Sequence, residues 1–159
     1  MKIIVGMADM RITDDPNATL ITYSLGSCIG VSIYDPVAKI GGLLHYMLPE
    51  ASLDQEKARQ RPFMFADSGI PMLFKKSYEI GAKKQRLQVK VAGGSQILDD
   101  NGYFNIGKRN YAALRKLFWK NNVMIDGEDI GGSVNRTMSL NMQDGKVLLK
   151  ISGKEEKIL

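Results

Sequence analysis

The chain has 159 residues, 44% hydrophobic and 25% charged, a length and balance that suit one well-cored domain and exclude disorder. Its 22 basic and 17 acidic residues give a formal net charge of +5, spread along the chain as solvated faces rather than gathered into a nucleic-acid surface. One cysteine excludes an internal disulfide, and one cysteine with one histidine is too few for a zinc site.

No apolar run reaches the roughly twenty residues a spanning helix needs, and Met1–Gly6 lacks the apolar core of a signal peptide, so a cytoplasmic protein without membrane insertion is expected. Residues 2–7 and 19–25 read as strands separated by the turn-rich Thr13-Asp14-Asp15-Pro16-Asn17. A hairpin follows, built from 28–34 and 40–48 around Asp35-Pro36-Val37-Ala38-Lys39, and Pro49 ends its second strand. Residues 53–62 are polar and mixed in charge and read as an exposed loop. Residues 66–80 form an amphipathic helix with Ile70, Leu73, Phe74 and Tyr78 on one face and Gly81 at its end. A strand over 87–92 ends at Gly93-Gly94, and a second helix over 107–120 turns Tyr111, Leu114, Leu117 and Phe118 inward, with Asn105 as its cap. Residues 123–125, 137–142 and 146–151 read as closing strands, the last two joined across Asp144-Gly145. Many strands with two helices argue for one mixed α/β domain of the α+β type, whose helices cover a largely antiparallel sheet system.

The single cysteine, Cys28, follows Leu25-Gly26-Ser27, and the single histidine is His45. A thiol becomes a nucleophile when a base helps it shed its proton, and imidazole suits that task near neutral pH. A reversal at Pro36–Val37 sets position 28 opposite position 45, and directly opposed residues have Cβ atoms about 4.5–5.5 Å apart. His45 then acts as base and afterwards as acid in acyl transfer. Thr22, on the strand that delivers Cys28, is a candidate to hold the far ring nitrogen, and Gly26 and Ser27 let the Cys28 amide and a neighbour form an oxyanion hole. Against this stand a buried structural cysteine, a satisfied structural histidine and a threonine that merely suits a strand. Gly93-Gly94 and Gly131-Gly132 lack the spacing of a nucleotide fingerprint and read as turns near the cleft, with Asp129 and Arg136 as an internal ion pair.

An ordered set of segments resembles the chemoreceptor glutamine deamidase (CheD) family over nearly the whole chain. It runs through Thr22, Leu25-Gly26-Ser27-Cys28, Asp35-Pro36-Val37-Ala38-Lys39, His45-Tyr46-Met47-Leu48-Pro49 and Phe65-Ala66-Asp67. It continues through Ala92-Gly93-Gly94-Ser95, Asn105–Asn110 and Asp129-Ile130-Gly131-Gly132 with Arg136. The resemblance implies an α/β/β/α sandwich and a papain-like thiol mechanism with Cys28, His45 and Thr22 as the catalytic set, and no cofactor. It implies hydrolysis of glutamine side-chain amides in the cytoplasmic helical region of methyl-accepting chemotaxis receptors, giving glutamate and ammonia. Some relatives also cleave receptor methyl esters, and members often pair with the phosphatase CheC. Tyr46, Phe65, Asp67, Ile97 and Leu98 are candidate substrate or partner contacts, with Phe65 standing where tyrosine is frequent in the family and Ile97-Leu98 where Met-Phe is common. The rival readings are a noncatalytic module that binds receptors or a phosphatase, and a thiol amidase or esterase of other substrates.

Overall fold

The computed structural model describes residues 1–96 and 105–159. Its strands are β1 (Lys2–Ile4), β2 (Asp9–Thr13), β3 (Thr19–Thr22), β4 (Ile29–Asp35), β5 (Ile40–Tyr46), β6 (Gln88–Gly93), β7 (Gly127–Ile130), β8 (Arg136–Asn141), β9 (Val147–Ile151) and β10 (Lys157–Ile158), and its helices are α1 (Gln55–Gln60), α2 (Ala66–Glu79) and α3 (Ile106–Lys120). They build two five-stranded sheets, in the orders β1-β3-β8-β9-β10 and β2-β5-β4-β6-β7. Each sheet is antiparallel except for one parallel pair, β1 with β3 and β6 with β7. This is the expected α+β class, with α2 and α3 lying together on the β4–β5 sheet.

Burial explains which sequences became which strands. β4 and β5 are buried at every residue, because one face meets the helices and the other meets the second sheet, so both read as nearly continuous apolar runs. The helix-side layer joins Ile29, Val31 and Ile33 to Ile70, Leu73, Leu114 and Phe118. The inter-sheet layer joins Leu43 and Cys28 to Leu20, Met138, Leu140 and Leu149. β9 alternates buried and exposed residues, as a strand with one wet face should.

Several elements differ from the sequence reading. β2 lies between the two expected N-terminal strands and joins the opposite sheet, so β1 and β3 are parallel neighbours. Residues 123–125 are not a strand: Val123 and Ile125 are apolar because they pack on the helix-side core, and the strand is the polar edge segment β7 beyond them. The expected loop over 53–62 contains α1, a six-residue helix with no buried residue, capped where Asp54 accepts from the Lys57 amide. A helix without an apolar stripe gives no periodic signal. Asn105 occupies the N-cap position of α3 in a left-handed conformation, and its side chain makes no capping bond.

The hairpin turn is held by one buried carboxylate. Asp35 accepts from the amides of Val37, Ala38 and Lys83 at 2.9, 3.0 and 2.9 Å and pairs with Arg86 at 2.9 Å. Burial alone would raise its pKa, but the Arg86 guanidinium and the three amides outweigh that and hold it well below the usual carboxylate range. A carboxylate depressed in the folded state stabilises above its unfolded pKa, and the contribution is lost as pH falls through the acid range below about 4. Asp35→Asn should therefore lower unfolding free energy by about 3 kcal/mol at pH 7. Urea denaturation at pH 7 and pH 3 checks this, with the gap between parent and variant narrowing at the lower pH.

Candidate functional site

β4 and β5 pair so that Gly30 faces His45 and Ile29 faces Tyr46. The turn centre is one position later than expected and each partner shifts by two, because Asp35 pairs with Ile40 and Lys39 closes the loop in a left-handed conformation with its amide on Asp35 O at 2.8 Å. Cys28 is thus not directly opposite His45. A shift of two preserves the face, so Cys28, just before β4, is diagonal to His45, a relation that typically leaves about 7 Å between Cβ atoms and keeps side chains within reach.

That face looks into the inter-sheet layer, where Thr22 of the other sheet meets the histidine. Thr22 Oγ1 lies 2.7 Å from His45 Nδ1 and donates to Val5 O at 2.7 Å. A hydroxyl has one proton, and a carbonyl can only accept, so the Thr22 proton belongs to Val5 O and the imidazole proton sits on Nδ1. His45 Nε2 is left as a bare lone pair, buried and without a hydrogen-bond partner among the described residues. Gly30 permits this approach of the sheets: a Cβ there would lie 2.7 Å from Met138 Sδ, and Met138 is the ladder partner of Thr22.

Burial sets the electrostatics. His45 is fully buried and its pKa falls to about 4, while Cys28, 9% exposed, rises to about 11 against a weaker lowering by its backbone hydrogen bond. Each group is therefore neutral at rest, and no hydrogen bond joins Cys28 Sγ to His45 Nε2. Desolvation penalises both charged forms, so neither a thiolate nor an imidazolium is favoured before substrate arrives.

The backbone around Cys28 is tied on several sides. Cys28 N donates to Leu25 O at 2.8 Å, and Gly26 N donates to Asn135 Oδ1 at 3.0 Å, so the expected oxyanion donor at Cys28 is already engaged. Ser27 supplies the remaining amide of this turn. The Gly93-Gly94 turn accepts none of the side chains a substitution would bring, since a Cβ on Gly93, whose φ is +118°, would lie 2.1 Å from Cys28 O. Gly94 N donates to Cys28 O and Ser95 N to Gly26 O, each at 2.9 Å. Arg136, buried, braces these turns by contacting Asp129, Gly93 O, Ser95 Oγ and Gly131 O. The ion pair read from the sequence is thus a loop brace, in which Lys157 also joins Asp129.

Sequence reasoning missed Asn110. Its Nδ2 donates to Ser27 O and to Met47 O, both at 2.9 Å, tying the cysteine loop to the strand end beyond His45, while its own carbonyl accepts from Tyr46 Oη at 2.7 Å. The buried face of α3 is Gly107, Asn110, Leu114 and Phe118, so helical spacing already marks position 110 as an inward polar residue. Tyr46 and Phe65, candidate substrate or partner contacts, are wholly buried in this structure. Asp67 is exposed, with Oδ1 accepting from the Ala51 amide at 2.7 Å. Ile97 and Leu98 lie outside the described residues. No helix among the described residues is long and apolar enough to cross a membrane.

Comparison with known proteins places this arrangement in a family. Residues 47–151 match the family profile described as CheD chemotactic sensory transduction. The chain is 56% identical to "Probable chemoreceptor glutamine deamidase CheD 1" of Syntrophus aciditrophicus, over 95% of this chain and 94% of that protein. It is 48% identical to "Probable chemoreceptor glutamine deamidase CheD" of Solibacter usitatus, over 99% of this chain and 94% of that one. A relative from Anaeromyxobacter dehalogenans, "Probable chemoreceptor glutamine deamidase CheD 2", is 42% identical over 93% of each chain. The profile begins just past His45, but the Solibacter match leaves almost nothing of the chain uncovered, and on both grounds the chain belongs to the CheD family.

Proposed function

We propose that residues 1–159 form one deamidase domain that hydrolyses glutamine side-chain amides of chemoreceptors to glutamate with release of ammonia. The observation that carries the reading is the bare Nε2 of a histidine whose tautomer is fixed by Thr22, buried on the same face as the chain's one thiol. The names of the relatives supply the substrate. Cys28 is the nucleophile, His45 the base and then the acid, and Thr22 orients the ring.

With both partners neutral at rest, proton transfer is coupled to attack. Cys28 Sγ bonds to the amide carbon as its proton passes to His45 Nε2, and the carbonyl electrons move to the oxygen, with the Ser27 amide as the proposed oxyanion donor. The tetrahedral species collapses, the C–N bond breaks, and Nε2–H protonates the departing ammonia. His45 then takes a proton from water, hydroxide adds to the thioester, and glutamate leaves as Sγ regains its proton. The Nδ1–H to Thr22 to Val5 chain stabilises the transient imidazolium with neutral acceptors, a weaker hold than a carboxylate gives. The substrate segment is the cytoplasmic helical region of a methyl-accepting receptor, which locates the enzyme in the cytoplasm, and a CheC-type phosphatase is a candidate regulator.

Intact-peptide mass spectrometry of receptor cytoplasmic fragments tests this directly. A +1 Da change per glutamine with the parent, absent with Cys28→Ala, is the expected result; no change with the parent across several receptors overturns the reading. Thr22→Val should lower kcat about 100-fold with KM little changed, because the ring loses its fixed tautomer while the binding surface stays. In the free enzyme, iodoacetamide should alkylate Cys28 slowly at pH 7 and faster as pH climbs toward 11, following thiolate formation. A rate already at its plateau at pH 7 would mean a preformed thiolate.

A further inference from the structure

The catalytic groups offer a protein substrate little to grip, since Cys28 is 9% exposed and His45 not at all. The chain's one tryptophan, by contrast, is 84% exposed near the end of α3, and Met124 beside it is 80% exposed. An apolar groove of about 390 Å³ runs between the C-terminal halves of α2 and α3, with Ile70, Phe74 and Tyr78 on one wall, Leu117 and Phe118 on the other, and Val123 at its end. A second cavity of about 470 Å³ shares Phe118 and Val123 with it and extends it past Trp119 and Met124. From Asn110, which touches the cysteine loop, to Asn121 at the groove is eleven residues of α3, or about 16 Å. The groove is thus separate from the catalytic pair.

We propose that this groove is an accessory docking site for an acidic amphipathic helix of the chemoreceptor substrate, an inference that rests on the function proposed above. The shape argues for a helix: the α2 wall repeats every four residues, and a groove between two helices takes the apolar stripe of a third. The charge argues for acidity. Lys75 and Lys84 line the first cavity and Lys120 the second. Asp126, whose carboxylate accepts from the Val89 amide at 2.7 Å, lines the adjoining cavity and is one negative charge against these three lysines. An exposed aromatic with flexible methionine inside a basic rim has the make-up of an interface centre, not of an ordinary solvated face.

Trp119 is a built-in reporter. The full chain carrying Cys28→Ala would be titrated with a tryptophan-free cytoplasmic receptor fragment while indole emission is followed. The expected result is a saturable blue shift, weakened by added salt and weakened about tenfold by Lys75→Glu with Lys84→Glu. In the Cys28-intact background the same pair should raise KM about tenfold with kcat and Cys28 alkylation unchanged; Lys75→Ala with Lys84→Ala, a milder change, should move KM the same way. Normal deamidation kinetics with unaltered emission would overturn the docking site and leave the function standing. A shift without deamidation by the parent would support the docking site and overturn the function. A shift that grows with the concentration of the chain alone would overturn the proposal by assigning the face to a second copy.

Discussion

The contact between Thr22 and His45 is the one on which the site depends, because it joins the two sheets. Thr22 belongs to β3 and His45 to β5, and their bond forms only if the sheets pack at the right separation and the strands hold their registers. Gly30 opposite His45 leaves room for Met138, the ladder partner of Thr22, to pack beneath it: a Cβ on position 30 would crowd the Met138 sulfur, which would have to shift. Sheet packing therefore decides which imidazole nitrogen carries the proton, and a detail of chemistry becomes a property of the whole sandwich.

The same economy appears in the backbone. The cysteine loop is not fixed by its own sequence but by distant groups: Asn110 from α3, Asn135 before β8, and the Gly93-Gly94 turn braced by Arg136. These ties pair the backbone groups of the loop, which is the condition for a rigid loop in a dry setting, while Asn110 Oδ1 has no hydrogen-bond partner among the described residues. The Arg136 guanidinium is tolerated under cover because a carboxylate, two carbonyls and a hydroxyl meet it.

Local patterns carried much of this into the sequence. The 3.6-residue spacing of Ile70, Leu73 and Phe74 gave α2, and Asp144-Gly145 gave the β8–β9 turn, because both depend on neighbours along the chain. Cys28, His45 and Thr22 stood out as the chain's one thiol, its one imidazole and a strand hydroxyl, and the fold brings Thr22 and His45 into contact. Register did not follow from the turn residues, because Asp35 draws partners from Lys83 and Arg86, nearly fifty residues away. The partition of β1 and β2 between sheets, the edge strand β7 and the clamp at Asn110 are likewise long-range outcomes. Tyr46 and Phe65 read as substrate or partner contacts because residue identity alone does not reveal that α2 and α3 close over Tyr46, or that Ala8, Met64 and Leu48 pack around Phe65.

A thiol held near pKa 11 with 9% of its surface exposed resists oxidation for the same reason that it is a poor resting nucleophile. Peroxides attack the thiolate, and burial keeps that form scarce at neutral pH. Cys28 therefore meets peroxide more slowly than an exposed, ionised cysteine, which oxidises readily to sulfenic acid.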